Sequence, residues 1–295
     1  MANLLDIRRR IKSVKNTQQI TKAMKMVSAS KLRRAQDRVV TARPFANKMT
    51  EVLGELAKRT DDEFHHPLLD LRGDERYLLV LITADKGLCG AFNANLIKAA
   101  QSFLNNNAGK SIEVLAIGRK GRDHFRNRRV PIAGEYIGLT GKGRVELSEA
   151  LEVARSIIKQ YTENTEIDKV FVIYNEFKSV LQQKVVLEQL LPVLRGAAEE
   201  EQEKAGEPVN LIDYIYEQPP EEIFGRLLPQ LIESQIFRAL LESVASEHGA
   251  RMTAMDSASK NASELIDSLT LNMNRIRQAA ITNEIIEVVS GAAAL

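Results

Sequence analysis

Two long heptad patterns, one near each end of the chain, limit the possible folds more than any other feature. In the first, apolar residues recur at steps of three and four from Leu4 to Val14 and again from Leu32 to Leu56. This spacing is typical of helices that pack along a coiled-coil seam. Together the patterns predict two long helices, over 1–60 and 220–295, that pair antiparallel with each other. The second pattern runs through Met255, Ala258, Ala262, Leu265, Leu269, Met273, Ile276 and Ala280.

Two irregularities interrupt the first pattern. Between its two apolar runs the same frame meets only polar residues, while an apolar stripe continues one position away. We interpret this as a helix that turns a different face to a different neighbour midway along. Pro44 argues against an unbroken helix, because a proline inside a helix removes a hydrogen bond and kinks or ends it. The polar residues are Gln18, Thr21, Lys25 and Ser28, and the displaced stripe is Ile20, Met24 and Val27.

The middle of the chain has a different character. Three short apolar runs, at Tyr77–Ile82, Ile112–Ile117 and Lys169–Tyr174, predict strands buried on both faces. Helical stretches at about 92–104, 120–128 and 146–161 separate them, and 196–207 is expected to be a solvated loop. Alternating strands and helices favour a small, mostly parallel, Rossmann-like α/β domain over 75–210. The predicted fold class is therefore α/β with an antiparallel coiled coil of terminal helices.

The charge is distributed unevenly. The whole chain has a net charge of +2, yet its first 50 residues hold thirteen lysines and arginines against two aspartates, a net +11. Such a run is often only a solvated face, but one so one-sided favours an acidic partner, because like charges repel one another. The pattern alone leaves nucleic acid, an anionic membrane and an acidic protein surface open.

Catalytic and binding motifs are largely missing. The turn at 85–90 contains Gly-Leu-Cys-Gly instead of G-x-G-x-x-G, and the glycines at 138–143 do not match a phosphate-binding P-loop. The four histidines lack metal-ligand spacing, and the lone Cys89 cannot form a disulfide within the chain. Glu284 and Glu287 share a helical face, which we interpret as a polar contact surface. No run of 18 apolar residues occurs and the lone cysteine fits a reducing compartment, so we expect a soluble, intracellular chain. Because the catalytic motifs above are missing, we also expect no catalytic site.

Four segments are distinctive: residues 6–36 read DIRRRIKSVKNTQQITKAMKMVSASKLRRAQ, 83–93 read TADKGLCGAFN, 245–262 read ASEHGARMTAMDSASKNA and 275–295 read RIRQAAITNEIIEVVSGAAAL. They resemble the gamma subunit of the rotary F-type ATP synthase, and together the likeness extends over essentially the whole chain. The most specific is Ile-Thr-Asn-Glu-Ile-Ile-Glu-Val-Val-Ser-Gly-Ala at 281–292. The resemblance is to the bacterial type, because the two-cysteine regulatory insert of chloroplast members is missing. We therefore expect no thiol switch.

The resemblance implies a mechanical role. The terminal helices would stand inside a ring of three alpha and three beta subunits, with the α/β domain and an epsilon subunit resting on the membrane c-ring. Rotation of this shaft would couple proton flow to ATP synthesis or hydrolysis. The resemblance implies no cofactor on this chain, since ATP, ADP and Mg²⁺ would be bound by alpha and beta. It also implies a peripheral location on the cytoplasmic face of the cell membrane.

The resemblance also implies particular contact residues. Two groups would contact beta, one on each terminal helix, and a third would lie in the foot near epsilon and the c-ring. Two alternatives remain: a basic coiled-coil protein that binds nucleic acid, and a Rossmann-type nucleotide enzyme. The beta contacts would be Met24, Lys25, Arg277, Gln278, Thr282, Glu284 and Glu287, and the foot residues Tyr214, Tyr216 and Glu217.

Overall fold

A computed structural model describes residues 4–59, 65–141, 143–164, 166–193 and 219–293. The chain divides into two compact units. The helical unit comprises residues 1–29 and 251–295, and the sheet unit comprises residues 30–250. The domain boundaries expected from the sequence, at 1–60, 75–210 and 220–295, remain predictions. The expected loop at 196–207 lies outside the described residues.

Two long helices begin and end the described chain, as the heptad patterns predict. Helix α1 is Leu4–Arg59 and helix α5 is Pro220–Ala293. Pro44, which argues against an unbroken helix, lies inside α1 and does not end it. Pro44 is exposed, while Val39 and Ala46 on either side are buried. Burial of the neighbouring seam residues outweighs the lost hydrogen bond, because tertiary packing supplies most helix stability in proteins.

Within the helical unit, the two helices run antiparallel, since contacts pair rising residue numbers on α1 with falling ones on α5. Thr21 contacts Ser259, and Lys25 contacts Asp256. The expected change of face on α1 is wrong: the polar residues Thr21 and Ser28 are buried, and Ile20 and Val27 are 60% and 57% exposed. Polar residues on α5 at the same level explain why, because they form hydrogen bonds and an ion pair with the polar stretch of α1.

The seam on α5 also differs from the predicted frame at two positions, where Ser259 replaces Ala258 and Ile266 replaces Leu265. Ser259 is buried at 7% exposure and Leu265 is 40% exposed. Ile266 is half-buried in place of Leu265. The seam therefore keeps strict steps of four and three through Met255, Ser259, Ala262, Ile266, Leu269, Met273, Ile276 and Ala280. A pattern of apolar residues alone misses this regular frame, because one of its buried positions is the polar Ser259.

The sheet unit contains a five-stranded sheet in the order β3-β2-β1-β4-β5. Strands β1 to β4 are parallel and β5 is antiparallel to β4. The strands are β1 Arg76–Ile82, β2 Ser111–Ile117, β3 Ile132–Tyr136, β4 Lys169–Phe177 and β5 Gln183–Leu191. The intervening helices are α2 Phe92–Asn106, α3 Arg119–Asn127 and α4 Leu147–Glu163.

The sequence predicted the central strands and missed those at the two edges. Strands β1, β2 and β4 are largely buried apolar runs, and Leu78 to Ile82 have no exposed surface. Strand β3 carries Gly134 and Glu135, and β5 has a mixed, half-exposed pattern. Edge strands need less apolar surface than strands buried on both faces, so they give no continuous apolar run.

An ion pair between a partly exposed arginine and a buried carboxylate joins three elements of the sheet unit. The Arg43 guanidinium on α1 donates from Nε and Nη2 to Oε1 of Glu242 on α5, at 3.0 and 2.8 Å. Glu242 Oε2 accepts from the backbone N–H of Phe177 on β4 at 2.9 Å, and Arg43 also donates to the Phe177 carbonyl at 3.1 Å. The Glu242 side chain is 3% exposed. This pair fixes α1 and α5 against the end of β4.

Candidate partner-binding surface

Lys25, one of the residues expected to contact beta, forms an ion pair within this chain. Its Nζ lies 2.6 Å from Oδ1 of Asp256, while Lys260 Nζ lies 3.2 Å from Oδ2. Hydrogen bonds from Lys25 and then Lys260 hold the pKa of Asp256 below its usual value. The Lys25 side chain is 43% exposed, so one side of its ammonium remains open to a partner. Met24 beside it is half-buried.

A hydroxyl pair lies one turn from this ion pair. The Oγ1 of Thr21 and the Oγ of Ser259 are 2.7 Å apart. Each hydroxyl also lies within hydrogen-bond distance of a carbonyl of its own helix, at Gln18 and Met255. Whichever hydroxyl donates across the seam, the other can donate to its own carbonyl, so both protons are satisfied. The side-chain amide of Gln18 also donates to the Ser259 carbonyl at 3.4 Å.

The other expected beta contacts lie together near the end of α5 and are all exposed. They are Arg277, Gln278, Thr282, Glu284 and Glu287. The Thr282 hydroxyl donates to the Gln278 carbonyl at 2.9 Å, one turn earlier on the same helix. At 1.5 Å per residue, Arg277 lies about 30 Å along the helix from Asp256. The structure therefore separates the expected contacts into two sites instead of bringing them together.

Large apolar side chains are exposed at both sites. Such residues are normally scattered singly over a protein surface, and a contiguous apolar patch marks an interaction site. At the end of α5 they occur on successive helical turns, mixed with the exposed polar residues between Arg277 and Glu287. Their exposed fractions are 47%, 57%, 72% and 61% for Ile281, Ile285, Val288 and Val289 on α5, and 60%, 68% and 57% for Ile20, Met26 and Val27 on α1.

The positive charge of the first helix also remains on the surface. Its cations are exposed at Arg8, Arg9, Arg10, Lys12, Lys15 and Lys22. Within the described residues, one close acidic neighbour of this set is Asp6, 3.7 Å from Arg9 and itself exposed. Exposed apolar residues and exposed cations on the same helix fit a protein surface that is partly acidic and partly apolar.

The expected foot residues Tyr214, Tyr216 and Glu217 lie outside the described residues. Their predicted contact with epsilon and the c-ring remains a prediction. In the part of the chain that the structure describes, no helix combines the length and the apolar character needed to span a bilayer. Within the same residues, no group of three or more His, Cys, Asp or Glu side chains is placed to hold a metal ion.

A second candidate site lies at the carboxyl edge of the sheet, where doubly wound folds bind phosphates. Here the side chain of Asp85, which is 9% exposed, accepts hydrogen bonds from four donors in two neighbouring loops. Its Oδ1 accepts from the backbone N–H groups of Arg119 and Gly138, both at 3.1 Å. Its Oδ2 accepts from the Gly141 N–H at 2.8 Å and the Thr140 hydroxyl at 3.1 Å. A carboxylate of the chain itself thus occupies donors that could otherwise bind a phosphate.

The glycine turn beside this carboxylate is a structural turn, as its sequence suggested. Cys89 is buried, and the side-chain amide of Asn93 donates to its sulfur at 3.1 Å. A Cβ on Gly141 would lie 2.9 Å from Asp85 Oδ2, so only glycine allows the loop after β3 to approach the carboxylate this closely.

Sequence reasoning missed three residues that organise these sites: Asp256, Ser259 and Asp85. A signal for the first two was present, because polar residues interrupt the first heptad pattern and antiparallel pairing would place polar partners opposite them on the second helix. For Asp85, a lone aspartate after a strand carries no sequence signal, since its partners come from two other loops.

Comparisons with known proteins match this chain over essentially its full length. A family model described as "ATP synthase" matches residues 3–295. A curated ATP synthase gamma chain from Solibacter usitatus is 55% identical, covering 100% of this chain and 99% of the relative. Another from Geotalea daltonii is 51% identical, covering 99% and 98%. These comparisons give no support to the nucleic-acid alternative.

Solved structures agree in fold. The central stalk and c-ring structure of the Tetrahymena thermophila mitochondrial ATP synthase contains a chain 28% identical to this one, with a TM-score of 0.61. The match covers 81% of this chain and 99% of that chain. A chain of the Euglena gracilis mitochondrial ATP synthase, 18% identical, shares the fold with a TM-score of 0.67 over 99% of this chain and 94% of its own length.

Proposed function

The chain belongs to the family of ATP synthase gamma chains, and we propose that it is the central rotor shaft of an F-type ATP synthase. In this role it transmits rotation between a membrane c-ring and a hexamer of three alpha and three beta subunits. The rotation couples proton flow to ATP synthesis or hydrolysis. An epsilon subunit would complete its attachment at the c-ring.

The observation that carries this proposal is the exposed surface of the helical unit. Its two helices share one seam, which leaves apolar side chains such as Ile285 and Val288 exposed. A row of exposed cations lies on α1, and among the described ion pairs of this row Asp6 lies close to Arg9 alone. Leaving such residues in water is unfavourable, whereas a surrounding protein ring with apolar and acidic surfaces would cover both kinds of residue.

A shaft acts on the catalytic sites through contacts that differ between its orientations. A ligand or partner shifts a conformational equilibrium only by its difference in affinity for the two states. The two helices of the unit expose different chemistry at the same height, since α1 exposes Lys12 and Lys15 where the antiparallel α5 exposes Glu264 and Asp267. Rotation would present these chemistries in turn to each beta subunit and so favour open and closed states in sequence.

Lys25 would take part in this with one of its three ammonium hydrogens already donated to Asp256. The side chain is 43% exposed, so the remaining donors could contact an acidic group of beta. Met24 would add apolar contact next to it. The second group, Arg277, Gln278, Thr282, Glu284 and Glu287, would form a separate contact about 30 Å farther along the shaft.

We expect this chain to have no catalytic site and no bound cofactor, with ATP, ADP and Mg²⁺ bound by alpha and beta. The Asp85 carboxylate supports this expectation, because it occupies the donors at the sheet edge where a nucleotide phosphate would bind. A second anion there would meet a buried negative charge. We further propose that the assembled chain lies on the cytoplasmic face of the cell membrane as a peripheral subunit.

Reconstitution with matching alpha and beta subunits tests the proposal. The expected product is a complex of three alpha, three beta and one copy of this chain, with more ATPase activity than alpha and beta alone. Native mass spectrometry and an ATPase assay would measure both. If folded alpha and beta form no complex with the chain, the shaft assignment fails.

A matched pair of variants locates the contact. Ile281→Glu with Ile285→Glu places two charges on the exposed apolar stripe of α5, and we expect assembly at least about tenfold weaker, since buried interface side chains commonly contribute more than 1 kcal/mol. The control is Leu71→Glu with Leu181→Glu, which changes residues 77% and 83% exposed in the sheet unit. Equal loss in both variants would argue against a contact at the end of α5.

A further inference from the structure

Helix α3 carries a second concentration of positive charge, in the sheet unit. Residues 119–129 contain six lysines and arginines against one aspartate, a net +5. The half-buried Arg122 lies 2.8 Å from the Asp123 carboxylate and 3.6 Å from that of Glu135, so these acids are already paired. The other five cations are exposed, and within the described residues none of them has an acidic partner. We call them the cationic patch, and they are Arg119, Lys120, Arg126, Arg128 and Arg129.

The sheet holds this helix in a fixed position. Its buried side is formed by Gly121 and Phe125, and a Cβ on Gly121 would lie 2.9 Å from Thr83 Oγ1, so α3 lies directly against β1. The backbone N–H of Arg119 donates to Asp85 at 3.1 Å, and that of Gly121 donates to Thr83 at 2.9 Å. The cations therefore extend from a backbone that needs no ordering when a partner binds, which lowers the cost of binding.

Helix stability does not explain two of these cations. The start of a helix carries the positive end of the helix dipole, and the first turn of α3 contains no acidic residue. Arg119 and Lys120 are unfavourable there, although the buried Asp85 carboxylate offsets part of the cost. The five like charges also repel one another. An acidic partner would remove both unfavourable effects.

The spacing of the arginines indicates the shape of such a partner. Arg119 and Arg126 are seven positions apart, so they lie on one stripe of the helix about 10 Å apart along its axis. Carboxylates seven positions apart on a facing helix have the same separation. A guanidinium binds a carboxylate through two parallel hydrogen bonds, which makes such pairs both strong and specific.

Two other anionic surfaces fit this segment less well. Helices that bind a membrane surface carry large apolar side chains beside their cations. Phe125 is the one large apolar side chain in 119–129, and it has no exposed surface. Proteins that bind single-stranded nucleic acid stack bases on exposed aromatic side chains, which 119–129 also lacks. A protein surface is the anionic partner that needs neither feature.

We propose that the cationic patch is a docking surface for an acidic helix of a protein partner, with carboxylates seven positions apart. Arg119 and Arg126 would each bind one of these carboxylates. Lys120, Arg128 and Arg129 would attract the rest of the acidic segment. This inference concerns the sheet unit alone and does not depend on the rotor assignment.

Binding of a labelled acidic peptide to the full-length chain tests the proposal. The probe is a helical peptide of about 20 residues with glutamates seven positions apart, long enough to be stable as a helix. Fluorescence anisotropy at about 0.1 M salt measures its Kd. The α3 variant is Arg119→Gln with Arg126→Gln. The matched control is Arg8→Gln with Lys15→Gln, which removes two exposed cations, also seven positions apart, from α1.

We expect the α3 variant to bind the peptide at least about tenfold more weakly, because it loses both charge-assisted pairs. The control should change the Kd less than about twofold, since Glu264 and Asp267 are exposed at the same height as Lys15 in the helical unit. A peptide of the same composition with scrambled spacing should bind the parent about as weakly as the first peptide binds the α3 variant. Equal losses in the two variants, or equal binding of the two peptides, would show unspecific charge attraction and overturn the proposal.

A charge exchange decides the matter if the α3 variant is less stable than the parent. The chain with Arg119→Glu and Arg126→Glu should bind a lysine peptide of the same spacing more tightly than the parent does, and no gain would overturn the proposal. Vesicles containing phosphatidylglycerol and a single-stranded oligonucleotide test the other two surfaces. If either loses affinity in the α3 variant while the glutamate peptide does not, the partner is a lipid surface or a nucleic acid and the proposal fails.

Discussion

The two units of this chain are stabilised in different ways. The sheet unit has a closed apolar core, in which Leu78 to Ile82, Leu115 and Phe125 have no exposed surface. The helical unit has one seam, interrupted by the buried polar residues Thr21 and Ser259, and several large apolar side chains exposed on successive turns of its helices. The sheet unit exposes some apolar side chains as well, but its closed core stabilises it by its own packing, whereas a single seam beside exposed apolar turns is suited to binding a partner.

The largest expected difference between the units comes from the same substitution made in each. Leu81→Ala removes a fully buried side chain of β1 and should cost about 3–4 kcal/mol of the free energy of unfolding. Leu269→Ala, at a half-buried position of the helical seam, should cost about 1 kcal/mol. All six tyrosines lie between residues 77 and 216, so tyrosine fluorescence in urea follows the sheet unit, and helical circular dichroism follows both. Equal losses of unfolding free energy in the two variants would show that the helical seam contributes as much to stability as the core of the sheet unit.

The next effect concerns the ion pair of the sheet unit. Arg43→Met leaves the Glu242 carboxylate buried with the Phe177 N–H as its remaining described donor, and should cost about 3 kcal/mol. Arg155→Met is the control, because it removes a 70% exposed partner of Glu233 and should cost less than about 1 kcal/mol. Urea midpoints measure both. A similar loss for the two variants would show that burial of Glu242 is not what matters.

A somewhat smaller loss is expected at the carboxyl edge of the sheet. Asp85→Ala leaves three backbone N–H groups and the Thr140 hydroxyl without their carboxylate, which should cost about 2 kcal/mol. Asp85→Asn keeps one oxygen and should cost less. Thermal unfolding with and without millimolar phosphate also tests the cofactor expectation: stabilisation of Asp85→Ala but not of the parent by phosphate would show that the carboxylate occupies an anion site.

The smallest effect is on the pH dependence of stability. Hydrogen bonds from Lys110, then from Lys169 and Tyr77, hold the pKa of Asp74 well below its usual value of 3.8. Because the folded pKa is lowered, this stabilisation is present above the unfolded pKa and is lost as the pH falls below it towards the folded value. Asp74→Asn should therefore flatten the acid side of the stability profile below about pH 4. Unfolding midpoints between pH 2 and 7 would show it, and an unchanged profile would contradict it.

Some parts of the fold could be predicted from local pattern. The heptad spacing gives both long helices, and the apolar run at 77–82 gives the central strand, because each pattern records a surface that must be buried. The full-length resemblance added the family, through segments such as 281–292 that no simple periodicity would single out.

Other parts depend on residues distant in sequence. The frame of the α5 seam was decided by Ser259, whose hydroxyl is satisfied by Thr21 more than 200 positions earlier. Helix α1 continues through Pro44 because its buried neighbours pack against other elements. Asp85 acquires its role from loops that follow β2 and β3.

The sequence by itself determined the repeating patterns, and with them the two long helices, the central strands and the family. Only the tertiary structure decided which polar residues face inward, how the two helices align, and which contacts Lys25 and Asp85 make. The physical reason is that apolar periodicity is a local property of the chain, whereas a buried polar group is stable only beside a partner, and that partner is supplied by the fold.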